Sequence, residues 1–149
     1  MPQTLVFSDL NAAPFASASP VFRCTLGESG RDAAWIRVAG ELDIATAQQL
    51  EPALRAAEIR ARQVVLDLRE LTFMDSSGVH VIVDASNRAR RTGRQLVLVR
   101  GPSHIDRLFA LTDASNDVQI VDLDCFQPSV QALVKLGSQS AFEVGRLTP

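Results

Sequence analysis

The chain contains no tyrosine, a single tryptophan at Trp35, and only two cysteines, Cys24 and Cys125. Two cysteines about a hundred positions apart, with no CxxC pair, supply neither the ligand spacing of a structural zinc site nor a disulfide framework, so both are read as buried thiols in a reducing compartment. No stretch approaches the ~18 consecutive apolar residues that a membrane span requires. Residues 1–20 lack the basic start and continuous apolar centre of a secretory signal. These absences together predict a cytoplasmic protein with no membrane span. An excess of charge of one sign is lacking too. Fifteen Lys and Arg against 17 Asp and Glu give a formal net charge of −2, which calls for no direct contact with nucleic acid.

What is present suits one folded domain. In 149 residues, 46% are apolar and 21% charged, enough to build a core without staples. Residues 1–20 are rich in Ala and Ser and interrupted by Pro2, Pro14 and Pro20. They bury too little apolar surface to offset the cost of ordering them, which predicts a flexible N-terminal tail. Residues 137–149 lack a clear period and are read as a C-terminal tail, leaving 21–136 as the domain.

Inside the domain the periodicities are sharper. Val21–Leu26 and Ala34–Ala39 are short apolar runs separated by Gly27-Glu28-Ser29-Gly30, an antiparallel hairpin pattern, and Gly40-Glu41-Leu42-Asp43 closes the second strand. Thr46–Arg60 carries Ala47, Leu50, Leu54, Ala57 and Ile59, mostly three or four apart, and reads as an amphipathic helix. Gln63–Leu68 is a near-continuous Val/Leu run, as in a strand covered on both faces. Ser76–Thr92 places Val79, Ile82, Val83, Ser86 and Ala89 on one stripe and His80, Asp84, Asn87, Arg88 and Arg91 opposite, with Gly93 to stop the helix. Gln95–Val99 is another buried strand. A helix from Pro102 to Leu111 turns Ile105, Leu108, Phe109 and Leu111 inward, Val118–Val121 is a last strand, and Pro128–Leu136 a last helix. Trp35 is read as a core aromatic. The order β-β-α-β-α-β-α-β-α predicts an α/β fold: one mixed, mostly parallel sheet, an N-terminal antiparallel hairpin strand and about four packed helices.

The stretch from Leu71 to Val79 joins a buried strand to the start of an amphipathic helix. The first amides of a helix have no partner within it, and Asp75, Ser76 and Ser77 can each cap them. Three such residues exceed what one helix uses, so at least one hydroxyl is left facing outward. Gly78 has no side chain, which lets another backbone or a phosphate donor approach.

The run Val64-Val65-Leu66-Asp67-Leu68-Arg69-Glu70-Leu71-Thr72-Phe73-Met74-Asp75-Ser76-Ser77-Gly78 resembles the signature of the STAS domain, and within it that of bacterial anti-sigma-factor antagonists. Gly40-Glu41-Leu42-Asp43 resembles a second short motif of that family, and Arg107-Leu108-Phe109 a third. The likeness spans roughly residues 21–136. It implies that Ser76 accepts phosphate from a partner that is both anti-sigma factor and ATP-dependent serine kinase, and that a separate serine phosphatase removes it. The unphosphorylated form would bind the anti-sigma factor and release a sigma factor. Asp43 would lie near the serine and help the partner engage, with Asp75, Ser76, Ser77, Gly78 and His80 completing the partner-binding surface. The chain departs from the family in its long N-terminal tail and in His80, where small residues are common. A STAS-domain scaffold subunit of a stress-signalling or lipid-transport complex, with Ser76 serving only as a cap, is the alternative that the same likeness allows.

Other chemistries are less well supported by the residues. Asp75 rather than glycine precedes the serine region, so no G-x-S-x-G elbow is present, and His80 and His104 do not complete a catalytic set. Arg88, Arg90, Arg91, Arg94 and Arg100 read as a solvated helix end complementing the C-terminal dipole, without the aromatics that nucleic-acid stacking needs. Asp67 and Asp75 flank one strand but fall short of a magnesium cluster. No enzyme activity, cofactor or metal is expected.

Overall fold

The computed structural model describes residues 4–6, 22–29, 32–112 and 114–135. Its organising element is the strand Gln63–Met74 (β4), in which Val64, Leu66 and Leu68 face one side of the sheet and Val65 and Asp67 the other. The remaining strands are Thr4–Val6 (β1), Phe22–Ser29 (β2), Ala33–Leu42 (β3), Gln95–Val99 (β5) and Gln119–Val121 (β6). They form one sheet in the order β1-β2-β3-β4-β5-β6. The first two pairings are antiparallel and the other three parallel. Each parallel step needs a crossover. Ile44–Arg60 (α1), Ser76–Arg91 (α2) and Ser103–Leu111 (α3) supply them.

All three helices pack on the same face. Leu50 and Leu54 of α1, Val79 and Ile82 of α2, and Ile105 and Phe109 of α3 close over Leu26, Ile36, Val38, Leu66 and Leu98. Each such fully buried side chain contributes ~1.5–3 kcal/mol of transfer free energy. The second face carries a smaller cluster of Val65, Val97, Val99, Val121 and Ala132, with Trp35, Leu123 and Leu133 partly buried against it. A helical turn at 131–135 lies there. No described helix is long and apolar enough to cross a membrane.

Several expectations need correction. Thr4–Val6, placed in a flexible tail, pairs antiparallel with β2; the rest of 1–20 and all of 137–149 lie outside the described residues. The hairpin turn falls beyond Ser29 rather than at Gly27. Gly27 sits within β2 opposite Trp35, where a Cβ would overlap the indole ring. Asp32, at φ +65°, belongs to the true turn. Trp35 is half-buried on the second face, with the Arg37 guanidinium 4.9 Å from its ring centroid. Ile59 and Leu111 point outward, and the last helix begins at residue 131 rather than at Pro128. Cys24 is buried and its thiol is pushed up to about 12 by desolvation, but Cys125 is exposed.

β4 also runs six residues past Leu68, the end that its near-continuous apolar run predicts. Its pairing with β3 passes from Arg37↔Asp67 to Leu42↔Met74, with register shifts between Arg37 and Ala39 and between Gly40 and Glu41. At both shifts β4 carries the extra residue, so these are bulges. Inward positions therefore come at Leu66, Leu68, Leu71 and Met74, first two and then three apart, and period two no longer marks the strand. Gly40, at φ +92°, lets β3 follow the second bulge, and its carbonyl accepts from Thr72 Oγ1 at 3.1 Å. His104, in the first turn of α3, donates from Nε2 to the Thr72 carbonyl oxygen at 2.7 Å. The bulged end of β4 is thus held from both sides.

At the other end of α2 the chain stops where Gly93 predicts. Gly93 has φ +70°, and the Arg94 N–H donates to the Ala89 carbonyl at 2.7 Å, closing a Schellman-type turn. Arg88, expected to be solvated, instead holds Glu58 of α1 through Nε and Nη2 at 2.7–3.0 Å, and Arg100 bridges Asp106 and Asp122. These pairs tie α2 to α1, and the start of α3 to the chain after β6.

Two features generate tests of stability. On the second face Asp67, 1% exposed, accepts from Ser129 Oγ at 2.7 Å and from Arg69 Nη2 at 2.6 Å. Burial pushes this carboxyl up, but the bonds from Arg69 and Ser129 outweigh it and hold it below the usual carboxylate range. A depressed folded value means that the stabilisation is complete above the unfolded value of about 3.9 and is lost as pH falls through the folded one. Asp67→Asn should therefore lower stability at pH 7 by ~2–3 kcal/mol in urea melts, with the gap to wild type narrowing below about pH 4. An undiminished gap at pH 3 would contradict this linkage. Gly78, in the first turn of α2, lies against β3 and β4, where a Cβ would sit 2.7 Å from Met74 Cγ and 2.9 Å from Leu42 Cγ and Cδ2. Gly78→Ala should cost ~1–3 kcal/mol by overpacking, measured by chemical denaturation.

Candidate functional site

β3 and β4 end side by side, Leu42 opposite Met74, and each is followed by an aspartate that caps a helix. The Asp75 N–H donates to the Leu42 carbonyl at 3.1 Å. Neighbouring strands lie ~4.8 Å apart, so the two helix N-termini, each with orphan amides and a partial positive charge, emerge together at one pole of the domain.

At the first N-terminus, Asp43 Oδ1 accepts from the backbone N–H groups of Ala45 and Thr46, both at 3.0 Å. Thr46 returns the bond, its Oγ1 accepting from the Asp43 N–H at 2.8 Å, which completes a capping box. The Thr46 N–H is the main reason that the Asp43 carboxyl is held below the ordinary carboxylate value, so it is ionised at neutral pH. Thr46 was not singled out in the sequence. A threonine three residues after an aspartate was the signal, although glutamate or glutamine is more usual there.

At the second N-terminus, Asp75 Oδ1 accepts from the Ser77 N–H at 2.9 Å, and the Asp75 carbonyl receives the Gly78 N–H at 3.1 Å. Asp75 therefore does the capping. Ser76 is the first helical residue and is exposed, and its hydroxyl has no hydrogen-bond partner among the described residues. Ser77 is half-buried and His80 exposed one turn on. Asp43, Asp75, Ser76, Ser77 and His80 are accordingly distributed along one accessible region. Gly78 departs from its expected role: it is buried, and the absence of a side chain serves packing on Leu42 and Met74 rather than approach from outside.

Two flanking residues received no role in the sequence. Ile44 follows Asp43 and Phe73 precedes Met74-Asp75, and both are large apolar side chains left in solvent. Asp43 and Asp75 form no ion pair among the described residues. Asp67 does not join Asp75: it lies seven positions before the end of β4, occupied by Arg69 and Ser129. Among the described residues, no three His, Cys, Asp or Glu side chains converge as metal ligands would.

Comparison with known proteins matches this arrangement to one family. The family model of the STAS domain matches residues 28–131. An anti-sigma-B factor antagonist of Listeria monocytogenes is 34% identical over 90 residues, covering 60% of this chain and 79% of that protein. The solved anti-sigma factor antagonist SpoIIAA in its unphosphorylated form aligns with a TM-score of 0.63 at 19% identity, covering 77% of this chain and 96% of that one. The Bacillus cell fate determinant SpoIIAA in its phosphorylated form gives 0.59 at the same identity, covering 76% and 98%. At that identity the structural likeness speaks for the fold alone, whereas the sequence matches reach further: the chain belongs to the STAS domain family.

Proposed function

We propose that this protein is an anti-sigma-factor antagonist: unphosphorylated, it binds an anti-sigma factor that is also a serine kinase, and phosphorylation of Ser76 ends that binding. The observation that carries the proposal is the exposed Ser76 hydroxyl at the first position of α2, left free because Asp75 supplies the cap. The relatives named as anti-sigma-B factor antagonists support the general role. In this reading Asp43, Asp75, Ser77 and His80 are partner-facing, Gly78 sets the height of the helix start, a serine phosphatase restores the active form, and the protein works in the cytoplasm. Ser76 is a kinase substrate and not a nucleophile.

Charge explains how one phosphate would act. It adds about −1.5 to −2 and three strong acceptors. Free amides and the dipole at the start of α2 favour an anion there by ~0.3–1 kcal/mol, so the fold tolerates the modification. The effect therefore falls on the interface. Asp43 and Asp75 already make that region acidic, and a phosphate desolvated between them and a partner meets like charge. A penalty of ~3 kcal/mol weakens binding on the order of a hundredfold, enough for a switch.

The test pairs a kinase assay with calorimetry. Incubated with the serine-kinase anti-sigma factor of its own genome and ATP, the wild type should take up one phosphate, mapped to Ser76 by mass spectrometry. Ser76→Ala should take up none yet bind the partner as wild type does. Ser76→Asp should keep its thermal midpoint and bind ~10–100-fold more weakly. Phosphate found on Ser77 with Ser76 unmodified would move the site. An absence of phosphate on either would favour a scaffold role for the domain.

A further inference from the structure

Ile44 is 70% exposed and Phe73 45% exposed, although the nearest large apolar side chains on the same elements turn inward: Leu50 and Leu54 in α1, Leu71 and Met74 in β4. Both occupy the pole where β3 and β4 end. Ile44 is the first residue of α1, directly after Asp43; Phe73 lies opposite Glu41 in the register, one step before the Leu42↔Met74 pair that leads into Asp75. The second bulge of β4 and the left-handed backbone of Gly40 set the outward position of Phe73, and the His104 and Thr72 bonds fix that bulge. An apolar side chain held in water by a buttressed backbone is poised to be covered.

We propose that Ile44 and Phe73 are the affinity-determining anchors for the partner that docks over Ser76, and that the partner presents an apolar recess bordered by basic side chains. This rests on the function proposed above. The complement is specified by the residues themselves: two apolar side chains flank Asp43 and Asp75, two carboxylates without a cation of their own among the described residues. An apolar recess covers the former, and lysine or arginine at its border answers the latter. The two parts cooperate. Closing the apolar contact removes water from around the carboxylates, and in the lowered effective dielectric each charge interaction grows. The same exclusion makes a phosphate on Ser76 costlier than it would be at a wet surface, so the apolar anchors steepen the switch as well as supplying affinity.

The experiment measures binding of the full-length unphosphorylated protein to the anti-sigma factor of its own genome by calorimetry. Ile44→Ser and Phe73→Ser should each raise Kd by about tenfold or more, and together by more than either alone. Ile59→Ser, altering an 80% exposed isoleucine in the last turn of the same helix, is the control and should stay within about twofold of wild type. Thermal melts of all variants establish that the fold is retained; should Phe73→Ser melt early, Ile44→Ser decides alone, since its side chain is the more solvated. Wild type binding tightly with the Ile44 and Phe73 variants indistinguishable from it would overturn the anchors and leave the Ser76 reading standing. Wild type failing to bind would overturn both.

Discussion

The hydrogen bond from the Asp75 N–H to the Leu42 carbonyl is the constraint on which the functional pole depends. It requires β3 and β4 to finish in register although β4 has consumed two more residues since Arg37↔Asp67. Only because the bulges absorb that surplus do two aspartates arrive together, each at a helix start. Without them, the second helix would begin displaced along the strand, and the Ser76 hydroxyl would no longer share a surface with Asp43. The absent side chain of Gly78 then determines how closely α2 settles on Leu42 and Met74. Residues with no chemistry of their own thus set the position of those that have it.

Much of this was legible where a single physical rule acted alone. β5 over Gln95–Val99 and α2 from Ser76 follow directly from an apolar run and an amphipathic stripe, and Gly93 ends α2 with the left-handed backbone expected of it. The rule failed where two effects competed. The apolar run marks β4 only to Leu68, because Arg69-Glu70 interrupt it and the bulges beyond place the inward residues three apart. Gly27 looked like a turn because glycine usually marks one, whereas here it makes room for the Trp35 ring. Ile59 follows Ala57 by only two positions and so stands across the helix from Leu50 and Leu54, and Leu111 follows Phe109 by two and falls off the stripe of Ile105 and Phe109.

The site was legible in kind but not in division of labour. The surplus of capping residues at Asp75-Ser76-Ser77 was visible, and its consequence, a spare hydroxyl, follows from Asp75 taking the cap. No local pattern could show that Asp43 would stand beside it, because that depends on a pairing of residues 32 positions apart in the chain. Nor could it reveal the partners of Arg88, which looked like one more cation in a basic run until α1 brought Glu58 to it. Long-range pairings of this kind redistribute charge: some arginines become struts between helices while neighbours on the same helix remain in water.

The two thiols occupy opposite chemical circumstances. Cys24 is enclosed by the core with its proton retained far above neutrality, while Cys125 stands in solvent. Reagents that need a thiolate and a path to it will find only one of the pair. Of its two thiols, then, the protein offers one natural handle: a fluorophore or surface tether can be fixed at Cys125 with no residue replaced.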